Sequence, residues 1–252
     1  MAGFAEAPFA SGFSDRIFDA VVFDFDGVIV DTERIIYQVW TDTFAHYGCS
    51  LTLEEWSSCV GTDRGFDPFK TLRERSSFPV PSPAELQRRI DRAEELLFED
   101  LSPLPGIRDW IEGAELLDMR VAIASSSPSS WVESRLADAG LERRFVVVSC
   151  RDARLAAKPA PDLYLDACAR LHVEPPRAIA VEDSPNGLIA ARAAGLARVA
   201  VPNTVTKGLD LSDADLVLDS LAAMSLEEAA RRLSQDRDRS RHDQNREAAS
   251  GE

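Results

Sequence analysis

The sequence predicts an α/β protein with a doubly wound parallel sheet, and three observations carry this prediction. Short apolar runs rich in Val and Ile alternate with longer amphipathic stretches through most of the 252 residues. The runs are apolar at successive positions, as strands of a parallel sheet covered on both faces require. A long interval without such a run follows the first one, which indicates a helical insertion into the sheet domain.

Six apolar runs are expected to form the strands. In chain order they are Ala20 to Phe23, Val121 to Ala124, Phe145 to Val148, Ala178 to Val181, Ala197 to Val201 and Leu216 to Leu218. Between Thr32 and Pro103 the pattern is helical only. We therefore expect a helical cap that stands over the carboxyl edge of the sheet, where ligands bind in open α/β folds.

The same patterns set the expected domain boundaries. We expect a mobile N-terminal tail over residues 1–17, a Rossmann-like core built from 18–31 and 104–233, the cap over 32–103, and a disordered C-terminal tail over 234–252. The C-terminal stretch has almost nothing apolar to bury. The segments 31–33 and 102–106 are expected to act as hinges of the cap.

Charge and composition exclude several partners. The chain has 28 Lys and Arg against 43 Asp and Glu, a formal net charge of −15, which disfavours nucleic acid and anionic membrane surfaces. No apolar run reaches the roughly 18 residues of a membrane helix, and the chain does not start like a secretory signal. The four cysteines form no C-x-x-C pair, so we expect a protein of the reducing cytoplasm without zinc or disulfides.

Two carboxylates end the first strand. Asp24 and Asp26 are spaced by two, so they point the same way if the chain stays extended, and Gly27 permits a tight turn out of the strand. Converging carboxylates indicate a cation site, a pair that shares one proton, or a nucleophile beside its acid/base partner. The alternative is an ordinary turn with two solvated aspartates.

Hydroxyl groups end the second run. Ser125, Ser126 and Ser127 precede Pro128 and a helical pattern, so Ser125 and the free N–H groups of the helix start could hold one phosphate-sized anion. Plain N-capping of the helix by Ser126 or Ser127 explains the same residues.

A lysine and a second acid pair follow later runs. Lys158 stands directly before a rigid Pro turn, and Glu182 with Asp183 ends the fourth run. Carboxylates here, together with those of the first strand, suit Mg²⁺, which prefers hard oxygen ligands. A surface lysine and helix capping by Asp183 or Ser184 are the competing explanations, although capping does not account for Glu182. All four stretches fall at carboxyl ends of predicted strands, which favours one shared active site.

These stretches resemble the haloacid dehalogenase superfamily, in particular the Mg²⁺-dependent phosphatases and phosphomutases of subfamily I with a helical cap after the first strand. The resemblance rests on FDFDGVIVDTE, VAIASSS, KPAPDLYL and AVEDSPNGLIAARAAGL, which occur in the order of the family, and it extends from about residue 18 to 233. Residues 60–66 and 201–203 look most like the β-phosphoglucomutase-like branch.

The resemblance implies a role for each matching residue. Asp24 would be the nucleophile that becomes an aspartyl phosphate, and Asp26 the acid and then base of the two steps. Ser125 and Lys158 would hold the transferring phosphoryl oxygens. Mg²⁺ would be bound by Asp24, the backbone carbonyl of Asp26 and Asp183, with Glu182 as a further or outer carboxylate. The implied substrate-binding residues are Arg64, Ser126, Ser127 and Asn186.

The resemblance implies phosphate-ester hydrolysis and leaves a phosphomutase as the alternative. Dehalogenases proper lack the second aspartate, and phosphonate hydrolases carry Ala there, whereas this chain has Asp26. The mutases have a cap His where Ile36 stands and a Lys where Pro128 stands, but Arg64 does match their cap arginine. A solvated surface charge is the other explanation for Arg64. We expect a small phosphorylated metabolite as substrate and a monomer, with a dimer as the alternative; a non-catalytic binding module would not need the full set of catalytic residues.

Overall fold

The structure is a computed structural model, and it describes residues 17–57, 66–98 and 101–237. The predicted N-terminal tail up to residue 16, the cap loop that contains Arg64, and the chain beyond residue 237 lie outside the described residues. No helix within the described ranges is both long and apolar enough to cross a membrane.

Six strands form one sheet. They are β1 (Ala20–Phe23), β2 (Arg120–Ser125), β3 (Val147–Cys150), β4 (Ala178–Glu182), β5 (Ala197–Ala200) and β6 (Leu216–Val217). Every neighbouring pair is parallel, and the order across the sheet is β3-β2-β1-β4-β5-β6. This is the doubly wound order, in which the chain turns back beside β1 and opens a crevice at the carboxyl ends of the strands. The predicted fold class is confirmed.

Helices fill the intervals between the strands. They are α1 (Thr32–His46), α2 (Leu53–Ser57), α3 (Pro68–Arg75), α4 (Pro83–Phe98), α5 (Ile107–Leu116), α6 (Ser129–Asp138), α7 (Asp162–Leu171), α8 (Pro185–Ala194) and a last helix, α9, over residues 226–237. The first four lie in the stretch predicted as a cap, and no strand interrupts its described part.

The sheet is buried on both faces. Because successive strand residues point to opposite sides, Val21 and Phe23 of β1 join one apolar cluster, while Ala20 and Val22 join another. All four side chains are fully buried. This explains why the strand sequence is continuously apolar rather than alternating.

A third apolar cluster is built mainly from α1 to α4. Its aromatic centre is Trp40, whose ring meets Phe69 edge-on at 4.8 Å between centroids and also contacts Phe44 and Trp56. Among the residues of this cluster, Val205 comes from the loop after β5. The helical insertion therefore has an apolar core of its own, as a cap that moves as a unit would need.

Two chain segments join the insertion to the sheet side by side. Val30 forms an isolated bridge with Pro103, and the N–H of Leu104 donates to the carbonyl of Ile29 at 2.8 Å. The segments predicted as hinges adjoin this pairing. Their motion stays a prediction, as does the division into core and cap.

The largest departures from the predicted bounds are at β3 and at the last helix. Strand β3 starts at Val147 rather than at Phe145, and Val146 is largely exposed. Ser149, near the end of β3, is buried, and its hydroxyl donates a hydrogen bond to Asp166 at 2.8 Å. At the C-terminus, α9 continues through residue 237 into the predicted tail, and the Arg237 guanidinium stacks 5.2 Å from the ring of Phe18.

The buried indole of Trp110 offers a test of the packing between α5 and the end of the chain. Its Nε1 donates to the carbonyls of Leu221 and Met224 at 3.0 and 2.8 Å. Substitution Trp110→Phe removes the donor, leaves both carbonyls without it and opens a void, so we expect the free energy of unfolding to fall by about 2 kcal/mol or more.

Urea denaturation measures this change. The exposed Leu116→Gln on the same helix is the control, for which we expect a change within about 0.5 kcal/mol. Equal unfolding midpoints for Trp110→Phe and the wild type would contradict the packing described here.

Candidate active site

The predicted residues converge at the carboxyl edge of the three central strands. Asp24 directly follows β1, Ser125 ends β2, Glu182 ends β4 and Asp183 follows it. Backbone pairing between β1 and β4 continues one residue past the end of β1, because the N–H of Asp24 donates to the carbonyl of Val181 at 2.8 Å. The parallel register therefore places these side chains at one level of the sheet edge.

Lys158 connects the two acidic strand ends. It lies in the loop after β3, and its Nζ forms ion pairs with the Asp24 carboxylate and, at 2.6 Å, with Oε1 of Glu182. Only 6% of its side chain is exposed, and the ring of Tyr164 lies 5.0 Å away. The alternative of a solvated surface lysine is thereby excluded, because a buried ammonium needs charged partners.

The charges around Lys158 shift the proton affinities of the site. Burial, opposed by Lys158 and reinforced by Glu182 and Asp26, raises the pKa of Asp24 to about 8. Burial opposes the charge on Lys158, but the neighbouring Asp24 and Glu182 outweigh it and raise the pKa of the ammonium above its usual value. The two carboxylates therefore favour the charged form of the lysine next to Asp24.

Hydrogen bonds and close packing hold the Glu182 carboxylate in its contact with Lys158. The Tyr164 hydroxyl also donates to its Oε1, and the Ser184 hydroxyl donates to Oε2 at 3.3 Å. Gly187 in α8 lies against the carboxylate so closely that any Cβ there would overlap it. Glu182 is fully buried, and its Oε1 accepts a hydrogen bond from Lys158.

A group of three carboxylates could hold a metal ion. Asp24, Glu182 and Asp183 each offer an oxygen, and these oxygens lie within 4.8 Å of one another. The Asn203 amide donates to Oδ2 of Asp183 at 2.6 Å and to the carbonyl of Gly27 at 3.3 Å. At Gly27, with a φ of +83°, a Cβ would overlap the Asp183 carboxylate. The donor set consists of hard oxygen atoms, so these residues fit Mg²⁺.

Burial and the neighbouring Asp24 raise the pKa of Asp183 well above its usual value. Packing acidic groups this densely is unfavourable without a cation, because each added negative charge disfavours ionisation of the others. The electrostatics thus agree with the geometry of a cation site.

Asp26 lies beside this group with its carboxylate surrounded by donors. Thr32 Oγ1 and Trp131 Nε1 donate to Oδ1 at 2.8 and 3.0 Å, and Ser127 Oγ donates to Oδ2 at 2.6 Å. The alternative of two solvated aspartates in a turn does not hold, since three segments of the chain orient this side chain.

The three serines after β2 have different partners. Ser125 is buried and its Oγ accepts the N–H of Ser127 at 3.0 Å, while Ser126 Oγ accepts the N–H of Lys158 at 3.2 Å. Helix α6 starts after Pro128 without a side-chain cap, so N-capping by Ser126 or Ser127 is not what these residues do. By contrast, Ser184 does cap α8, because its Oγ accepts the N–H of Gly187 at 3.2 Å.

A small cavity opens onto these groups. Its volume is about 110 Å³, and it is lined by Asp24, Asp26, Glu33, Ser126, Ser127, Lys158, Asp183, Ser184 and Asn186. Asn186 therefore faces the site as predicted, whereas Arg64 lies outside the described residues. Lys158 is the one cationic side chain among the described residues that line this cavity.

Sequence reasoning missed five residues of the site. Thr32, Trp131, Tyr164 and Asn203 form hydrogen bonds with predicted site residues, and Glu33 lines the cavity. Burial, reinforced by Asp26 and Asp31, raises the pKa of Glu33 to about 7. Asn203 follows the carboxyl end of β5, so the rule that selected the other residues could have found it. Tyr164 and Trp131 reach the site from helices, where no polar strand end marks them.

Comparison with known proteins places the chain among relatives of the same architecture. YhcW of Bacillus subtilis is 39% identical over 82% of this chain and 94% of its own length. Protein CbbY of Cereibacter sphaeroides is 34% identical over 82% of this chain and 94% of its own. The crystal structure of CbbY from Rhodobacter sphaeroides with phosphate superposes with a TM-score of 0.65 at 31% identity, over 81% of this chain and 95% of that one.

A family model supports the same assignment. The model described as haloacid dehalogenase-like hydrolase matches residues 21–201, which contain every site residue of the sheet edge described above except Asn203. The resemblance drawn from the sequence is confirmed, and the chain belongs to the haloacid dehalogenase-like hydrolase family.

Proposed function

We propose that this chain is a Mg²⁺-dependent phosphatase that hydrolyses a small phosphorylated metabolite, such as a sugar phosphate, through an aspartyl phosphate on Asp24. The buried Lys158 ammonium between Asp24 and Glu182 is the observation that carries the proposal. Family membership and the relatives support a phosphoric monoester hydrolase. They include a phosphorylated carbohydrates phosphatase of Thermotoga maritima and hexitol phosphatase B of Escherichia coli, 28% and 32% identical.

Asp24 is suited to attack phosphorus. Without a metal ion, burial outweighs the adjacent Lys158 ammonium and raises the pKa of Asp24 to about 8. A bound Mg²⁺ would favour the carboxylate further, and Lys158 offsets repulsion from an approaching phosphate. A carboxylate oxygen of Asp24 forms the new bond to phosphorus while the bond to the leaving alcohol oxygen breaks. This splits one difficult displacement into two easier ones.

Asp26 is suited to move the proton in both steps. It gives a proton to the departing alcohol oxygen, and it then takes one from the water that attacks phosphorus and releases Asp24. A positioned acid/base of this kind contributes typically 10² to 10⁴ in rate. The three donors on its carboxylate support this role, because they fix its orientation beside the cavity.

The remaining residues would hold the phosphoryl group and the metal. Asp24, Asp183 and the backbone carbonyl of Asp26 would bind Mg²⁺, with Glu182 as an outer carboxylate that orients Lys158. When bound, the ion would neutralise charge on the phosphoryl oxygens and the carboxylates. Ser125 and Lys158 would hold the transferring phosphoryl oxygens. Ser126, Ser127 and Asn186, which line the cavity, would bind the substrate.

The cysteine pattern and the charge support the proposed setting of the enzyme. We propose a cytoplasmic enzyme, because its four cysteines form no C-x-x-C pair and suit a reducing compartment. A net charge of −15 disfavours nucleic acid and membrane surfaces, so the proposed partner is its small substrate. A monomer is the proposed state. Size-exclusion chromatography with light scattering separates it from a dimer.

Phosphate release from a panel of esters tests the proposal. The panel contains hexose 1- and 6-phosphates, fructose 1-phosphate, a hexitol phosphate and glycerol phosphate, each with Mg²⁺ or EDTA. We expect release with Mg²⁺ only, and a loss of at least about 10³-fold in Asp24→Asn, because the nucleophile is gone. The control is Asp109→Asn, an exposed position on α5 that should retain wild-type rates.

Two outcomes would overturn the assignment. Equal rates in Asp24→Asn and the wild type would exclude an aspartyl phosphate at this position. Conversion of a hexose 1-phosphate to its 6-phosphate with an added sugar bisphosphate, without net phosphate release, would establish the mutase and show that Ile36 and Pro128 were given too much weight.

Thermal unfolding with and without Mg²⁺ tests the cation site separately from activity. A ligand that binds only the folded chain at about 100 times its dissociation constant adds about 2.7 kcal/mol to the free energy of unfolding. We therefore expect a higher Tm with Mg²⁺ in the wild type and in Asp109→Asn, and little change in Asp183→Asn. A shift of equal size in Asp183→Asn would remove that residue from the ligand set.

A further inference from the structure

Trp131 contacts the proposed acid/base residue Asp26 and has no role in the reaction described above. It lies in the first turn of α6, and its indole Nε1 donates to Oδ1 of Asp26 at 3.0 Å. Its side chain is half-buried at the border between the sheet domain and the helical insertion. Trp131 has no ionisable group and is not among the described residues that line the cavity, so an effect on the reaction would come through Asp26.

The chemistry of the donors distinguishes the two oxygens of Asp26. An indole N–H can only donate, so Oδ1 must remain an acceptor whether Asp26 is charged or neutral. Oδ2 faces the Ser127 hydroxyl at 2.6 Å, and a hydroxyl can rotate from donating to accepting. The indole therefore fixes the Oδ1 edge of the carboxylate and leaves the Oδ2 edge to the hydroxyl of Ser127. Thr32, the second donor to Oδ1, is a hydroxyl that can rotate and does not fix this edge alone.

Packing fixes the direction of the indole. The ring of Phe98 meets it edge-on, with centroids 5.2 Å apart and an angle of 83° between the planes. The Arg135 guanidinium lies 4.9 Å from the Trp131 ring and 4.4 Å from the Phe98 ring, and it is paired with Asp138 at 2.7 Å. Such aromatic and cation–π contacts restrict the rotation of the ring.

Phe98 is the last residue of α4 and is buried. It belongs to the helical insertion, whereas Trp131 and Arg135 belong to a helix that covers the sheet. The orientation of the indole, and hence that of the Asp26 carboxylate, therefore depends on α4 lying against α6.

We propose that Trp131 is a positioning residue that orients the Asp26 carboxylate and makes this orientation depend on contact with α4. The inference rests on the proposed function. In the first step Asp26 gives a proton to the alcohol oxygen as an Asp24 oxygen bonds to phosphorus and the bond from phosphorus to the alcohol oxygen breaks. In the second, Asp26 takes a proton from water as the water oxygen bonds to phosphorus and the bond from phosphorus to Asp24 breaks.

A double-mutant cycle tests the proposal on the sugar phosphate that the wild type hydrolyses fastest in the panel above. Trp131→Phe keeps a ring against Phe98 and removes only the donor. We expect kcat to fall roughly tenfold with little change in KM, as for loss of a hydrogen bond to a charged group. In the Asp26→Asn background the same substitution should cost less than about twofold, because coupled residues are not additive.

The leaving group gives a second readout that a merely structural role would not move. With p-nitrophenyl phosphate, whose leaving group needs no protonation, the pre-steady-state burst of p-nitrophenolate reports the first step alone, and its rate in Trp131→Phe should stay within about twofold of the wild type. Phe98→Leu keeps the indole donor but loosens its packing, so it should reduce kcat on the sugar phosphate and leave the burst rate unchanged. Trp40→Phe, in the aromatic cluster of the insertion, is the matched control and should leave both rates unchanged.

The outcomes separate the inference from the proposed function. If the wild type releases no phosphate from any ester, the proposed function fails. If the wild type is active and Trp131→Phe retains its full kcat on the sugar phosphate, only the role of Trp131 fails. An equal loss in the wild-type and Asp26→Asn backgrounds, or a loss accompanied by a much lower Tm, would show that Trp131 only supports the local structure.

Discussion

The ion pairs of Lys158 are the interaction on which the rest of the site depends. A buried ammonium is stable only with close opposite charges, and removing one partner of such a group costs several kcal/mol. Asp24 at the end of β1 and Glu182 at the end of β4 supply these charges, so a cation from the loop after β3 reaches across the sheet edge. The strand order makes this possible, because β1 and β4 are direct neighbours at the centre of the sheet. Glycine at 187 leaves the space in which Glu182 can face the lysine.

The same strand ends bring together more negative charge than one lysine neutralises. Asp24, Glu182 and Asp183 converge there, and burial raises the pKa of Asp24 and of Asp183. This arrangement is unfavourable for an empty site and favourable for one that binds a divalent cation and a phosphoryl group. The acid/base candidate Asp26 lies outside this group, held by neutral donors instead of by charges. Two aspartates two positions apart thus have different surroundings and suit different chemical roles.

The sequence predicted the sheet and its acidic edge because parallel strands leave a strong local signal. Continuous apolar runs identified β1, β2, β4 and β5, and polar residues at their ends led to Asp24, Ser125 and Glu182. The start of β3 was misplaced by two residues, because Phe145 and Val146 are apolar but precede the paired segment. The contacts of Tyr164 and Trp131 depend on which helix packs over which strand end, and a single sequence carries no such signal. Arg64 stays a prediction, since it lies outside the described residues.

A crystal structure with Mg²⁺ and trifluoroberyllate, an analogue of a phosphoryl group on a carboxylate, tests the central claim most directly. We expect beryllium to bond to an oxygen of Asp24, fluorides to contact Lys158 and Ser125, and Mg²⁺ to contact Asp24 and Asp183. Beryllium bonded to Asp26, or seated against Lys158 without a bond to any carboxylate, would contradict a covalent aspartyl phosphate at Asp24.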